Sequence, residues 1–232
     1  LEPHDFWQAI EPAADFDASR VPSGAYAAAF DDGRRLLLPI RPLGGGEHAL
    51  ASLILNQASF AVVEAIAADL AGKLAPFRPA IIVGLPTLGL TLASAVARKL
   101  GHSRYVPLGI SRKFWYREEL SVPLSSITTP DQRKRLYADP RMLPLLSDRS
   151  VALVDDVISS GASISAALDL MARCEIEPAV IGAAMLQSDR WRDRLGPQWR
   201  ERTTAVLRSP MLSRTADGGW IDAAETVGMG SP

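Results

Sequence analysis

Along this chain, short unbroken apolar runs alternate with stretches in which apolar residues return every three or four positions. Val151–Val154 is a run of strand length, followed by two acids and a Ser/Gly-rich turn. Ile164, Ala167, Leu168 and Met171 then recur at helical spacing. A strand, a turn and a helix opening near Ala162 or Ser163 are therefore predicted. "AIIVGL" (80–85) reads as a second buried strand and "TLASAVARKLG" (91–101) as a helix closed by Gly101. "RYVPLGI" and "AVIGAAML" are further strand candidates. From Ala49 to Leu74 the spacing of Leu50, Leu53, Ile54, Ala58, Ala61, Val62, Ala65, Ile66 and Leu70 predicts one long amphipathic helix. Upstream, "AYAAAF" and "RRLLLPI" flank "DDG", a hairpin signal because Asp-Gly suits the positive φ of a tight turn. The first ~20 residues show no period and are expected to be a short helix plus loop. Alternating β and α units argue for an α/β domain, a mostly parallel twisted sheet flanked by helices.

Composition narrows the class without naming a function. At 47% apolar and 22% charged, the 232-residue chain can bury a sizeable core. A net charge of -1 gives no global pull toward nucleic acid, and no apolar run approaches the ~18 residues of a membrane span. Neither a nucleic-acid nor a membrane partner is expected. Cys174 is the single cysteine, so no internal disulfide can form. "LEPHDFWQAI" lacks a basic segment followed by an apolar one, and the expected location is cytoplasmic. The expected boundaries are an N-terminal segment and hairpin over 1–48, an α/β core over 49–210, and a Gly-rich tail over 211–232 that frays or covers.

Candidate chemistry concentrates after Val154. Asp155 and Asp156 lie at the carboxyl end of a strand, the edge at which open α/β sheets bind ligands. Ser159, Ser160, Gly161, Ala162 and Ser163 lie at a helix N-terminus, where small residues leave backbone N–H groups open to an anion. Two hydroxyl-binding carboxylates beside a phosphate cradle suit a sugar phosphate. The segment from Ser111 to Leu146 breaks the α/β rhythm with "SRKFWYREE", "SVPLSSITTP" and "DQRKRLYADP", and such long connections are often functional. Phe114, Trp115 and Tyr116 could stack on a ring or anchor the loop on the core. Ser125, Ser126, Thr128 and Thr129 read as strand or cap residues. His4, His48 and His102 show no triad or metal spacing, and no GxxxxGK[ST] is present.

"VALVDDVISSGAS" (151–163) resembles the signature of the type I phosphoribosyltransferases, with Ser160-Gly161 and Ser163 where Thr-Gly and Thr are usual. "IVGLPTLGLTLASAVARKLG" is similar to that family's pyrophosphate-loop strand and helix. "GISRKFWYREE" resembles the mobile basic loop of adenine phosphoribosyltransferases. The resemblance covers roughly 80–187. It implies a small hood over the sheet, built from the N-terminal hairpin and the C-terminal strand. It also implies a donor, 5-phosphoribosyl 1-pyrophosphate, bound with Mg²⁺ held through substrate and water, a nucleobase acceptor of purine type, and a homodimer. Carried over by position, Asp155 and Asp156 would hold the ribose hydroxyls and Ser159–Ser163 the 5′-phosphate. Leu85, Pro86, Thr87, Leu88 and Gly89 would lie against pyrophosphate, with a cis peptide at Pro86–Thr87. Arg112 and Lys113 would close over it, Lys113 serving catalysis with the acid pair. Two departures stand out: Leu88 occupies a position where Arg is frequent, and "PLSSITT" has hydroxyls where adenine-type enzymes place a Glu. A second reading follows from these, a ribosyl-pyrophosphate or nucleotide-binding regulator that kept the site and lost turnover.

Overall fold

The computed structural model describes residues 1–124 and 134–224. In chain order its strands and helices are β1 (Ile10–Glu11), β2 (Ala25–Ala29), β3 (Arg35–Pro42), β4 (His48–Ala51), α1 (Phe60–Leu74), β5 (Ile81–Gly84), α2 (Gly89–Lys99) and β6 (Val106–Pro107). There follow β7 (Ser121–Pro123), β8 (Arg135–Tyr137), β9 (Val151–Ile158), α3 (Ala162–Arg173) and β10 (Val180–Gln187). The last elements are α4 (Trp191–Leu195), α5 (Pro197–Arg200), β11 (Thr203–Ser209), β12 (Met211–Arg214) and β13 (Trp220–Asp222).

The core is a five-stranded sheet in the order β11-β10-β9-β5-β6, and every pair is parallel. Its central strand is β9, in which Val151, Ala152, Leu153 and Val154 are all fully buried. An apolar run without polar alternation is what a strand covered on both faces requires. Ala152 and Val154 pack with α1 and α2, while Val151 and Leu153 pack with α3. Helix α1 starts where the Ser59 hydroxyl accepts the Val62 N–H at 3.2 Å, satisfying one donor of the first turn.

The second sheet is antiparallel and forms the hood. β3 pairs with β2 along one edge and with β1 and β4 along the other, and β12 and β13 continue beyond β4. The hairpin joining β2 and β3 turns at Asp31-Asp32-Gly33, with Gly33 at φ 88°. Arg34 from that turn bonds Asp69 of α1 at 2.7 Å, and Lys73 of α1 pairs with Asp31, so the hairpin is pinned to the core by charge. On the opposite side the Gln187 amide, at the end of β10, donates to the Ala51 carbonyl at 2.7 Å.

Three expectations are corrected. Residues 49–58 do not open a long helix. Ala49 and Ala51 are buried while Leu50 between them is only partly so, an alternation that seats β4 between β3 and β12. Second, β9 does not stop at Val154. Its neighbour β10 continues, pairing Asp155 with Ala183, Val157 with Met185 and Ile158 with Leu186, so both acids lie inside a strand. Third, the opening ~20 residues hold short 3-10 turns and β1 in place of a helix. Residues 211–222 form two hood strands, so this part of the tail covers and does not fray.

Candidate functional site

The carboxyl half of β9 carries the acid pair into a nearly closed environment. Asp155 is 6% exposed and Asp156 9%. The Asp156 N–H donates to Asp155 Oδ1 at 2.9 Å. Burial lifts the Asp155 carboxyl well above the ordinary carboxylate range, and the neighbouring Asp156 lifts it further. Burial also raises Asp156, with hydrogen bonds from Asp155 and from the Val157 N–H pulling the other way. Two carboxyls packed this closely resist carrying two negative charges. Partners that donate hydrogen bonds, or a positive charge brought beside them, would relieve that resistance.

Beyond Ile158 the chain turns sharply through Ser159 and Ser160 into α3. Gly161, the residue before the helix, sits at φ 76°, a left-handed conformation that other residues adopt at a cost. A side chain there would also meet the backbone of Trp191 at 3.2 Å. The turn is thereby held against α4. The first turn of α3 has no intrahelical acceptors for its N–H groups, and its residues with the serines before it line a pocket of about 110 Å³. Asp155 and Ser159, Ser160, Gly161, Ala162 and Ser163 all border it. The sequence placed these five residues on one loop, and the fold joins that loop to Asp155.

A second loop, between β5 and α2, meets the first at the same carboxylate. A Cβ on Gly89 would stand 2.6 Å from Asp155 Oδ1 and 2.9 Å from its Cα, so α2 begins directly against the acid. The Pro86–Thr87 peptide is cis. Pro86 is half-buried and Thr87 and Leu88 are exposed, whereas Leu85 is 1% exposed and packs in the α3-side core. The Leu85 N–H is spent on the Val154 carbonyl at 2.9 Å. Leu85 therefore anchors the loop, and neither its side chain nor its N–H is free to meet a ligand. This corrects its expected place among the contacts.

The basic loop divides its residues by role. Trp115 donates from its indole N–H to Asp139 at 3.3 Å and is covered by the Arg141 guanidinium, 4.2 Å from the ring centre. Arg141 holds the Asp139 carboxyl down at about 2. Tyr116 packs on Tyr137. These two aromatics anchor the loop, while Phe114 is 96% exposed. Arg112 reaches Glu118 at 3.7 Å, and Lys113 has no ionic partner among the described residues. Ser125, Ser126, Thr128 and Thr129 lie outside the described residues.

Arg190, at the start of α4, was not singled out by sequence reasoning. Its Nη2 donates to Ser159 Oγ at 2.8 Å and its Nε to Ser188 Oγ at 3.2 Å, so a guanidinium stands against the turn before α3. "SDRW" directly after a buried strand was the available signal. Among the described residues no group of three or more His, Cys, Asp or Glu side chains could hold a metal. The hard oxygens of the acid pair fit a Mg²⁺ carried mainly by phosphate and water.

Residues 51–199 match the profile of the phosphoribosyl transferase domain. The chain is 30% identical over 129 residues to the bifunctional protein PyrR of Corynebacterium diphtheriae, covering 54% of this chain and 60% of that protein. It is 29% identical over 93 residues to the PyrR of Streptococcus gordonii, covering 38% and 46%. It thus spans about half the length of the curated relatives it matches. Among solved structures it resembles an APRTase from Giardia lamblia in complex with 9-deazaadenine, at TM-score 0.59 and 20% identity, over 74% of this chain and 93% of that one. An adenine phosphoribosyltransferase from Thermoanaerobacter pseudethanolicus gives TM-score 0.58 at 16% identity, over 74% and 95%. At those identities the likeness speaks to the fold. With the fold, the signature turn and the domain match in agreement, the chain belongs to the phosphoribosyl transferase family of the type I fold.

Proposed function

We propose that the protein transfers ribosyl 5-phosphate from 5-phosphoribosyl 1-pyrophosphate to a ring nitrogen of a nucleobase, releasing pyrophosphate. The observation that carries this reading is the convergence of two loops on one carboxylate: Gly89 abuts Asp155, and Asp155 borders the pocket of Ser159–Ser163. A donor with phosphate at one end, pyrophosphate at the other and two hydroxyls between matches that order.

In the transfer the C1–O bond breaks and its electron pair leaves with pyrophosphate. The lone pair of the acceptor nitrogen forms the new bond to C1, and any proton on that nitrogen passes to solvent. Ser159–Ser163 fix the 5′-phosphate through N–H groups and hydroxyls. Asp155 and Asp156 accept the ribose hydroxyls and stabilise positive charge on the ring, which in turn favours their ionised form. Thr87–Gly89 line the pyrophosphate side, and Arg112 and Lys113 close over it, Arg112 leaving Glu118 to do so. Mg²⁺, when bound, supplies charge neutralisation on the departing pyrophosphate. Closure excludes water, which would otherwise hydrolyse the activated sugar.

Residues 1–48, extended by β4 to Ala51, act here with 211–222 as one hood over the rest of a core that runs to 210, in a cytoplasmic homodimer. The purine-type acceptor rests on loop layout alone. Pyrophosphate release by purified protein with donor, Mg²⁺ and a panel of bases tests the reaction. Calorimetry with donor tests the site, and a folded protein that binds neither donor nor a nucleoside monophosphate refutes the assignment. Leu88, in the place where the resemblance expects Arg, favours the alternative of a binding regulator; donor binding without turnover of any base would select it.

A further inference from the structure

Between the ends of β10 and β11 and the hood lies a cleft of about 690 Å³, within the range of small-molecule sites. One hydrogen bond links it to the phosphate pocket. Arg190 lines the cleft and bonds Ser159, which borders the pocket.

The charges lining the cleft are unevenly partnered. Asp189 is taken by Arg192 at 2.7 Å, and Asp193 by Arg200 at 3.3 Å. Asp222 accepts the Ala224 N–H at 2.9 Å. Among the described residues Arg190 bonds only hydroxyls and Arg208 has no ion pair. Two guanidiniums, Arg190 and Arg208, therefore line the cleft without an ion pair, against one carboxylate, Asp222, that has none among the described residues either. Ser209, 4% exposed, also lines it, and its buried hydroxyl has no hydrogen-bond partner among the described residues. A buried unpartnered hydroxyl costs free energy unless a ligand supplies the missing bond.

We infer that this cleft receives the acceptor, and that the acceptor is a nitrogen heterocycle bearing a carboxylate. The inference rests on the transferase reading above and replaces its purine expectation. With Asp222 the single unpaired carboxylate against them, an uncharged base in the cleft would strip water from the guanidiniums and leave one without a counter-charge. A carboxylate pairs with a planar guanidinium through two parallel hydrogen bonds, and a ring or carboxylate oxygen satisfies the Ser209 hydroxyl.

The test pairs acidic heterocycles with uncharged counterparts: orotate against uracil, nicotinate against nicotinamide, with adenine alongside. Binding is read by calorimetry with and without donor and Mg²⁺, and turnover by pyrophosphate release. The expected result is a preference for an acidic member of about ten- to a hundredfold, the worth of one hydrogen bond to a charged group. Arg208→Gln should remove that preference and leave donor affinity unchanged. Binding or turnover of adenine or another uncharged base as good as that of its acidic rivals overturns the inference. So does an Arg208→Gln protein that keeps the preference. Absence of donor binding instead strikes the transferase reading, and the donor-free arm still reports on the anion preference. If no acidic ligand binds in either arm, the inference is wrong.

Discussion

The meeting of α2 with Asp155 allows one substitution to be costed in advance. In Gly89→Ala the new Cβ would stand 2.6 Å from Asp155 Oδ1, 2.9 Å from Asp155 Cα and 3.2 Å from the Val154 carbonyl oxygen. Two of those three atoms are backbone of the central strand, so the strand cannot yield and α2 must move. Overpacking of this kind costs ~1–3 kcal/mol. Alanine returns at most ~1 kcal/mol of helix propensity, and less in a first turn. The net loss of ~1–2 kcal/mol corresponds to a fall in Tm of about 2–8 °C for a chain of this size. Gly72→Ala is the control: it lies inside α1 with nothing within 4 Å of its Cβ, so the same change should raise Tm by up to ~4 °C. Opposite signs from one chemical change would isolate the contact. Thermal melts read the first half, and calorimetric titration with donor reads the second, since a displaced α2 also displaces the pyrophosphate side. Equal melting and equal donor affinity for Gly89→Ala and the parent would show that α2 does not press on Asp155.

Asp155→Asn with Asp156→Asn should lower turnover by ~10²–10³ while the fold persists; near-normal pyrophosphate release would make the pair structural only. The same protein has a pH signature. A carboxyl whose pKa is raised on folding holds its proton longer in the native state than in the unfolded one. Its stabilising contribution is thus present at acid pH and lost as pH rises from the usual carboxylate range through the raised value. The double mutant should therefore melt above the parent at pH 8 and lose that advantage toward pH 4, and parallel melting profiles would deny the coupling. Leu88→Arg should tighten pyrophosphate binding in calorimetry, because Leu88 is exposed on the loop beside Gly89; no change would place Leu88 away from the anion. In hydrogen exchange, 111–114 should gain protection when donor binds, while Trp115 and Tyr116 change little because Asp139, Arg141 and Tyr137 already hold them; equal protection along the loop would refute the division.

Where one physical signal dominated, the sequence was readable. Buried parallel strands need unbroken apolar runs, so β5, β9 and β10 could be found from three or more such residues each. The Asp-Gly turn fixed the β2–β3 hairpin. Misreadings arose where two signals overlapped. Ala49–Ala51 fit both a helical and an alternating period over too few residues to decide, and the Ser59 cap was the better marker of where α1 starts. Asp155 and Asp156 were placed outside β9 because acids are poor strand residues, a preference overridden by pairing with β10. The acid pair and the Ser159–Ser163 turn are contiguous in sequence and could be found together. Arg190 and Gly89 join them only through the sheet, across intervals no spacing rule connects.

The hood sheet is built from both ends of the chain, with β12 and β13 lying beyond β4. A ribosome delivers β1 to β4 long before β12, so for most of synthesis β4 presents a bare edge of unpaired backbone groups. Such an edge invites pairing with another nascent chain. Sealing it waits on the strand that directly follows β11, the last to join the parallel sheet. Completion of the cover is thereby tied to completion of what it covers, and a chain cut after Ser209 would carry an intact parallel sheet beneath a sticky half-roof.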